Sequence, residues 1–346
     1  MARKTVQTIG IVFNLKQPAD DDTYEEYDEI ETIEALQNEI ERLNCTVVRF
    51  EDDERFLQTI SAAQLDFVVN IAEGRGSTRG RESQVPCILE SLGLPYSGSD
   101  PVALGITLDK YLTNTLLRSA GIPVPECYCV RSLKDVKPLA GLFKKGKQFI
   151  VKPRWEGSSK GIFLNAVVSS TQELARRAGM ILRRYRQPAI VEAFLPGDEI
   201  TAGVCGNTPP RLLGMMRIRP RQESGGQFIY SLETKKDWEA QIVYEPPQVL
   251  SRDLRDRITA YALRVFDVLE LRDIARIDFR IGADGVPAVI DVNPLPGLSP
   301  RYSDLPILCR LNGISYQKLV RKFLTAALKR CGFSMPVRKS ARTEVP

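Results

Sequence analysis

Apolar residues along this chain switch between two periods. Val6–Leu15, Cys45–Phe50 and Phe67–Ile71 are short apolar runs bounded by polar or turn residues, the mark of buried strands. Between the first two, Ile30, Ile33, Leu36, Ile40 and Leu43 recur at helical spacing and predict a helix over Tyr24–Asn44. Strand, helix, strand in that order predicts a parallel sheet with crossover helices, an α/β fold. The alternation continues. Helices are expected over Glu82–Leu92, Tyr111–Ala120, Thr171–Arg184, Ser251–Leu269 and Ile314–Lys329. Strands are expected over Gln148–Pro153, Ala189–Leu195, Ile200–Cys205 and Arg211–Arg219. Ser334–Pro346 carries prolines and charges and is expected to be disordered.

The stretch Ala275–Gly297 has the strongest period-two pattern. Ile277, Phe279 and Ile281 alternate with Arg276, Asp278 and Arg280, and Ile290 and Val292 alternate with Asp291 and Asn293. Gly282-Ala283-Asp284-Gly285 is a turn signal, so the two runs predict a hairpin. Closing it on those four residues puts Ile281 opposite Val286 and Arg276 opposite Asp291, with Asp278 and Asn293 on the same face. One face then carries two carboxylates, a carboxamide and a guanidinium. Such a face is either a solvated surface with cross-strand ion pairs or a set of hard oxygen ligands suited to Mg²⁺. Asn293-Pro294-Leu295-Pro296-Gly297 stiffens the strand end and then exposes glycine backbone.

Composition narrows the chemistry. The chain has 346 residues, 43% of them hydrophobic and 26% charged, enough for two or three packed domains. Net charge is +5, and part of that sits in the last thirteen residues, so the body is only mildly basic and argues little for nucleic acid. There is no histidine, which removes imidazole bases, Ser-His-Asp hydrolysis and most zinc chemistry. Seven scattered cysteines without a Cys-x-x-Cys pair suit reduced thiols in a cytosolic protein. No run of about 20 apolar residues and no signal peptide are visible, so no membrane span is expected.

Other segments add candidate groups. Ala72–Arg81 is a glycine-rich basic loop after a strand, either a ligand loop or a solvated one. Leu108-Asp109-Lys110 opens a helix. Gln148–Pro153 brings Lys152 to a strand end, followed by Glu156-Gly157-Ser158-Ser159-Lys160-Gly161, whose backbone can turn towards a phosphate. Arg176, Arg177, Arg183 and Arg184 read as a solvated basic helix face.

In their order, these segments resemble the D-alanine–D-alanine ligase branch of the ATP-grasp ligases. The resemblance rests on Leu108-Asp109-Lys110, Lys152 with Glu-Gly-Ser-Ser-Lys-Gly, Glu192 to Glu199, and Arg276-x-Asp278 followed by Asp291-x-Asn293 and Pro296-Gly297, across about residues 6–330. It implies a three-domain ATP-grasp fold: an N-terminal α/β domain at 1–104, a central subdomain at 105–193, a C-terminal subdomain at 194–333 and a tail at 334–346. It implies ATP and Mg²⁺, with Mn²⁺ as a substitute. Lys110, Lys152 and Lys235 would meet phosphates. Ser158 and Ser159 would belong to a lid, with Ser158 also catalytic. Glu192, Phe194 and Leu195 would meet the base and Glu199 the ribose. Asp278, Asp291 and Asn293 would hold the metal, and Arg276 and the Gly297 N–H would stabilise an oxyanion. Asp291 stands where the family more often has glutamate.

The resemblance thins at substrate recognition. Asn70-Ile-Ala-Glu73-Gly74 replaces a histidine-bearing loop, Lys236 replaces a tyrosine, and Leu298–Ser303 replaces the usual carboxylate-binding segment, where Arg301 and Ser303 could serve. Glu25, Glu26, Glu29 and Glu31 compete for the substrate's amino group, and Glu29 and Glu73 join Lys236, Arg301 and Ser303 as candidate substrate residues. The implied activity is an ATP-dependent carboxylate–amine ligase acting through an acyl phosphate on small amino-acid substrates. The implied setting is cytoplasmic and homodimeric, without nucleic-acid or membrane partners. Alternatives are peptidoglycan D-alanine–D-alanine ligation itself, a non-catalytic nucleotide-binding regulator, and nucleic-acid binding through Arg75, Arg79, Arg81 and the Arg176–Arg186 helix.

Overall fold

The computed structural model describes residues 4–222 and 228–336. The chain enters through a short strand, β1 (Lys4–Thr5), then β2 (Thr8–Phe13), α1 (Ile30–Glu41), β3 (Thr46–Glu51), α2 (Phe56–Ala62) and β4 (Phe67–Asn70). These give a parallel three-stranded sheet in the order β3-β2-β4, as the strand–helix–strand pattern requires. The helix is shorter than its apolar period suggests. Residues 24–29 are held instead against the end of β2, where Asp28 N–H donates to Asn14 O at 3.1 Å and Lys16 N–H to Asp28 O at 2.9 Å. Tyr27 Oη also reaches Gly74 O at 3.0 Å, so long-range bonds take the residues that periodicity gave to the helix.

Next come α3 (Gln84–Ser91), α4 (Pro101–Leu108) and α5 (Lys110–Ser119). Asp100 and Asp109 cap the last two, accepting from Ala103 N–H and Leu112 N–H. A second, antiparallel sheet is built from β5 (Cys127–Val130), β6 (Phe149–Pro153), β7 (Val167–Val168) and, after α6 (Thr171–Arg184), β8 (Ala189–Ala193), in the order β5-β8-β6-β7. The face of α6 is not simply solvated. Arg177 is buried and donates to Gly161 O at 2.6 Å and Asn165 Oδ1 at 3.0 Å, and Arg184 pairs with Asp22 at 2.9 Å.

The third sheet takes β9 (Glu199–Cys205), β10 (Arg211–Pro220) and, after α7 (Leu232–Lys236) and α8 (Trp238–Gln241), β11 (Ile242–Glu245). Lys235 and Lys236 thus stand on a short helix, and residues 223–227 before it lie outside the described residues. Helix α9 (Arg252–Val268) leads into the hairpin β12 (Ile274–Ile281) and β13 (Pro287–Asn293), and the order is β11-β10-β9-β12-β13. Helices α10 (Asp304–Leu311) and α11 (Tyr316–Arg330) follow.

Chain order and packing order part company here. Leu305, Phe323 and Leu324 share one apolar core with Ile9, Ile11 and Phe67, so the last helices seal the first sheet. Ser334, expected to begin a disordered tail, instead ends a strand, β14 (Phe333–Ser334), that pairs parallel with β1. The remainder of that tail, 337–346, lies outside the described residues.

Candidate active site

The hairpin forms, with a register other than the simple closure. Gly282 N–H donates to Val286 O at 2.9 Å, which lengthens the turn, and Ile281 lies opposite Pro287. Beyond Phe279–Val289 the register shifts by a bulge at Ile290, so Asp278 faces Asp291 and Arg276 faces Asn293. The expected pairing of Arg276 with Asp291 is therefore corrected. The bulge has a chemical result: Ile290 leaves the core and lines the cleft beside Asp291, while Ile277, Phe279 and Val292 stay buried.

The polar face is a network. Arg276 straddles Asp278, with Nη2 to Oδ2 at 2.9 Å, and reaches Asp304 at 3.6 Å. Thr201 Oγ1 donates to Asp278 at 2.9 Å and Asn293 Nδ2 at 3.1 Å. Lys110 Nζ meets Asp291 at 2.8 Å, and Lys152 Nζ meets Glu192 at 2.8 Å and Ile290 O at 3.3 Å. Burial pushes the Asp291 carboxyl up, but Lys110 and Lys152 outweigh it and hold the group below the usual range. Burial likewise opposes the charge on Lys152, and Glu192 and Asp291 more than restore it.

Among the described residues no three His, Cys, Asp or Glu side chains converge as a metal cage. Two facing carboxylates and an amide oxygen instead offer a partial hard-oxygen shell, the set that suits Mg²⁺ completed by water and phosphate oxygens.

Around this face lies a cleft of about 100 Å³ to which Lys110, Lys152, Ser158, Ser159 and Glu192 contribute, together with Phe194, Leu195, Glu199 and Lys235. Every residue expected at a nucleotide thus meets in one place. Arg280 was not singled out as a site residue; it projects from the same strand face as Arg276 and stacks on Phe194, 4.6 Å from the ring centre. It also lies 3.5 Å from Glu199. Burial raises the Glu199 carboxyl to about 7 despite that arginine.

The Gly-Ser loop is drawn down against the N-terminal segment. Ser158 and Ser159 adopt positive φ of 46° and 59°. Gly157 N–H donates to Glu26, and a Cβ at Gly157 would lie 2.7 Å from Glu26 Oε1, so a side chain there would force the Glu26 carboxylate to shift. Glu26 also receives Arg81 at 2.7 Å and Lys160 at 3.3 Å. The loop 72–81 is strapped too, with Arg75 on Asp52 at 3.3 Å and Arg79 on Asp109 at 3.4 Å. These arginines thus take part in internal ion pairs.

A larger cavity of about 510 Å³ adjoins the cleft, and Arg276, Gly297, Arg301 and Ser303 lie on its wall. The four competing glutamates separate. Glu25 pairs with Lys236 at 2.7 Å, Glu26 is taken as described, and Glu31 is exposed outside the cavity. Glu29 and Glu73 line it. Ser303 Oγ accepts from Ser299 N–H at 3.1 Å, so its hydroxyl is already engaged at the head of α10.

Comparison with known proteins agrees with this geometry. Residues 116–325 match the family model described as D-ala D-ala ligase C-terminus. The D-alanine–D-alanine ligase of Gluconobacter oxydans is 33% identical, over 79% of this chain and 84% of that protein. That of Moorella thermoacetica is 32% identical, over 76% and 82%. Among solved structures, the D-alanine–D-alanine ligase of Bacillus anthracis complexed with ATP shares the fold, with a TM-score of 0.72 at 23% identity over 94% of this chain and 98% of the other.

Proposed function

This chain belongs to the D-alanine–D-alanine ligase family, ATP-grasp enzymes that form C–N bonds, and on that premise we propose that it joins an amino acid to an amino acid or related amine through an acyl phosphate. The observation that carries the proposal is the facing pair Asp278 and Asp291 in a cleft shared with Lys110, Lys152 and Ser158.

The residues divide the work as follows. Lys110, Lys152 and Lys235 neutralise phosphate charge, and the Ser158–Ser159 loop covers it. Glu192 and the backbone of Phe194–Leu195 receive the base and Glu199 the ribose. Asp278, Asp291 and Asn293 would hold Mg²⁺, which Mn²⁺ could replace. Bound MgATP supplies the phosphoryl group that activates the substrate carboxylate. Arg276 and the Gly297 N–H then face the oxygen that gains charge when the amine attacks, and Ser158 orients the transfer. Glu29 receives the substrate amino group, and Glu73 borders the same substrate. Lys236, Arg301 and Ser303 border the second substrate, with Arg301 suited to its carboxylate.

Water must be excluded during transfer, and the loop held by Glu26 does this. Among the described residues no helix is long and apolar enough to cross a membrane. A homodimer in the cytoplasm, and division of the chain near 104 and 193, complete the proposal; sedimentation equilibrium tests the dimer. The activity is tested by phosphate release from ATP with D-alanine across a panel of acids and amines. Release that requires both an acid and an amine is the expected result, and no stimulation by any pair would overturn the reading.

A further inference from the structure

The large cavity has more buried negative charge than one amino group needs. Glu82 is only 8% exposed, lines the cavity, and receives no hydrogen bond or ion pair among the described residues. Glu73 beside it, and Asp28 and Glu29 at the head of α1, share this wall and have no ion-pair partner among the described residues.

The cations near them are committed elsewhere. Arg81 donates to Glu26 and to Trp155 O at 2.7 Å each. Lys160 lies 2.7 Å from Glu156 as well as near Glu26. Lys110 faces Glu82 but is held by Asp291, and Lys16 and Lys236 both serve Glu25. At Glu82 the charges of Arg81 and Lys110 oppose burial while Glu26 and Asp291 add to it, and at Glu73 the nearby Glu82, Glu26 and Asp28 stand against Arg81.

Burying carboxylates without a cation is expensive, and the remedy is a proton or a bound positive charge. Burial and mutual repulsion do push the Glu73 carboxyl up. Protons meet this need while the cavity is empty. Two separate groupings, one at α1 and one on the segment 73–82, match two ammonium groups held apart by a short chain.

We propose that the carboxylate-donating substrate is a diamino acid, its α-ammonium received at Asp28 and Glu29 and its second ammonium at Glu73 and Glu82. This rests on the ligase reading above and specifies its substrate class.

The test measures binding and turnover separately on the full chain. Calorimetric titration compares ornithine with norleucine, its uncharged isostere, in both enantiomers, with and without a non-hydrolysable ATP analogue. Ornithine should bind at least about tenfold tighter, the scale of one charge-assisted contact. Glu82→Gln should remove most of that preference, and Glu73→Gln provides a second variant should the first fold poorly. Norleucine binding as tightly as ornithine, no ornithine binding at all, or a preference that survives in both variants overturns the inference. ADP formation separates the two levels. Turnover of neutral acids without a charge preference sinks only the substrate class. A charge preference without ADP formation from any acid–amine pair sinks the ligase reading instead.

Discussion

Arg276 concentrates the chemistry of the site into one side chain. It is buried, it bridges Asp278 and Asp304, and those carboxylates raise its pKa against the cost of burial. Nucleotide binding alone does not need a guanidinium at the cavity wall. Arg276→Ala should therefore lower kcat by about 10²–10³-fold, the loss typical of an oxyanion donor. Nucleotide affinity measured by titration should change little, and a parallel loss of both would move Arg276 to a nucleotide-binding role. The carboxyls of Glu199, Glu82 and Asp28 make a different prediction. Burial raises each to about 7. The folded chain holds these protons while the unfolded chain releases them near pH 4, so the stability they confer is full below that pH and lost as pH rises through 7. Carboxyls shifted downward, such as Glu26 and Asp291, act only at the acid end. Melting temperature of the ligand-free protein should fall between pH 5 and 7.5, and Glu199→Gln should shrink that fall. A flat profile would contradict it.

The hairpin and the Gly-Ser loop show how short elements acquire function from their surroundings. Alternation correctly separates the core face of β12, Ile277 and Phe279, from its polar face, because a pleat has a fixed period of two. It does not reveal the bulge at Ile290, since a bulge is one unpaired residue and leaves little trace in composition. That bulge nonetheless sets Asp291 opposite Asp278. The loop 156–161 reads from sequence as a free lid, yet the structure ties it to Glu26 through Gly157 and Lys160. Glu26→Gln should loosen this latch and admit water. The expected outcome is a higher ratio of ADP formed to ligated product, measured by coupled assay and mass spectrometry of the product. An unchanged ratio would show that the latch does not guard the intermediate.

Across the whole molecule, the first and last segments of the chain hold each other. Val6 N–H donates to Ser334 O at 3.0 Å, and Phe333 lies edge-on to Phe67 with ring centres 6.5 Å apart. Phe333→Ala should cost ~1–3 kcal/mol, less than a fully buried phenylalanine, and lower the melting temperature by a few degrees in calorimetry. No change would mean that the terminal strand contributes pairing without packing.

Local patterning was sufficient for the alternation of strands and helices and for the parallel first sheet, while the residues that line the cleft came from the resemblance to a known family. Periodicity and residue chemistry are properties of neighbours in sequence, so they can be read from it. The one-residue bulge, the capture of residues 24–29 by β2, the sealing of the first sheet by α11 and the unmatched charge of Glu82 depend on partners far along the chain. Their energies are set by burial and long-range pairing, which exist once the fold has closed.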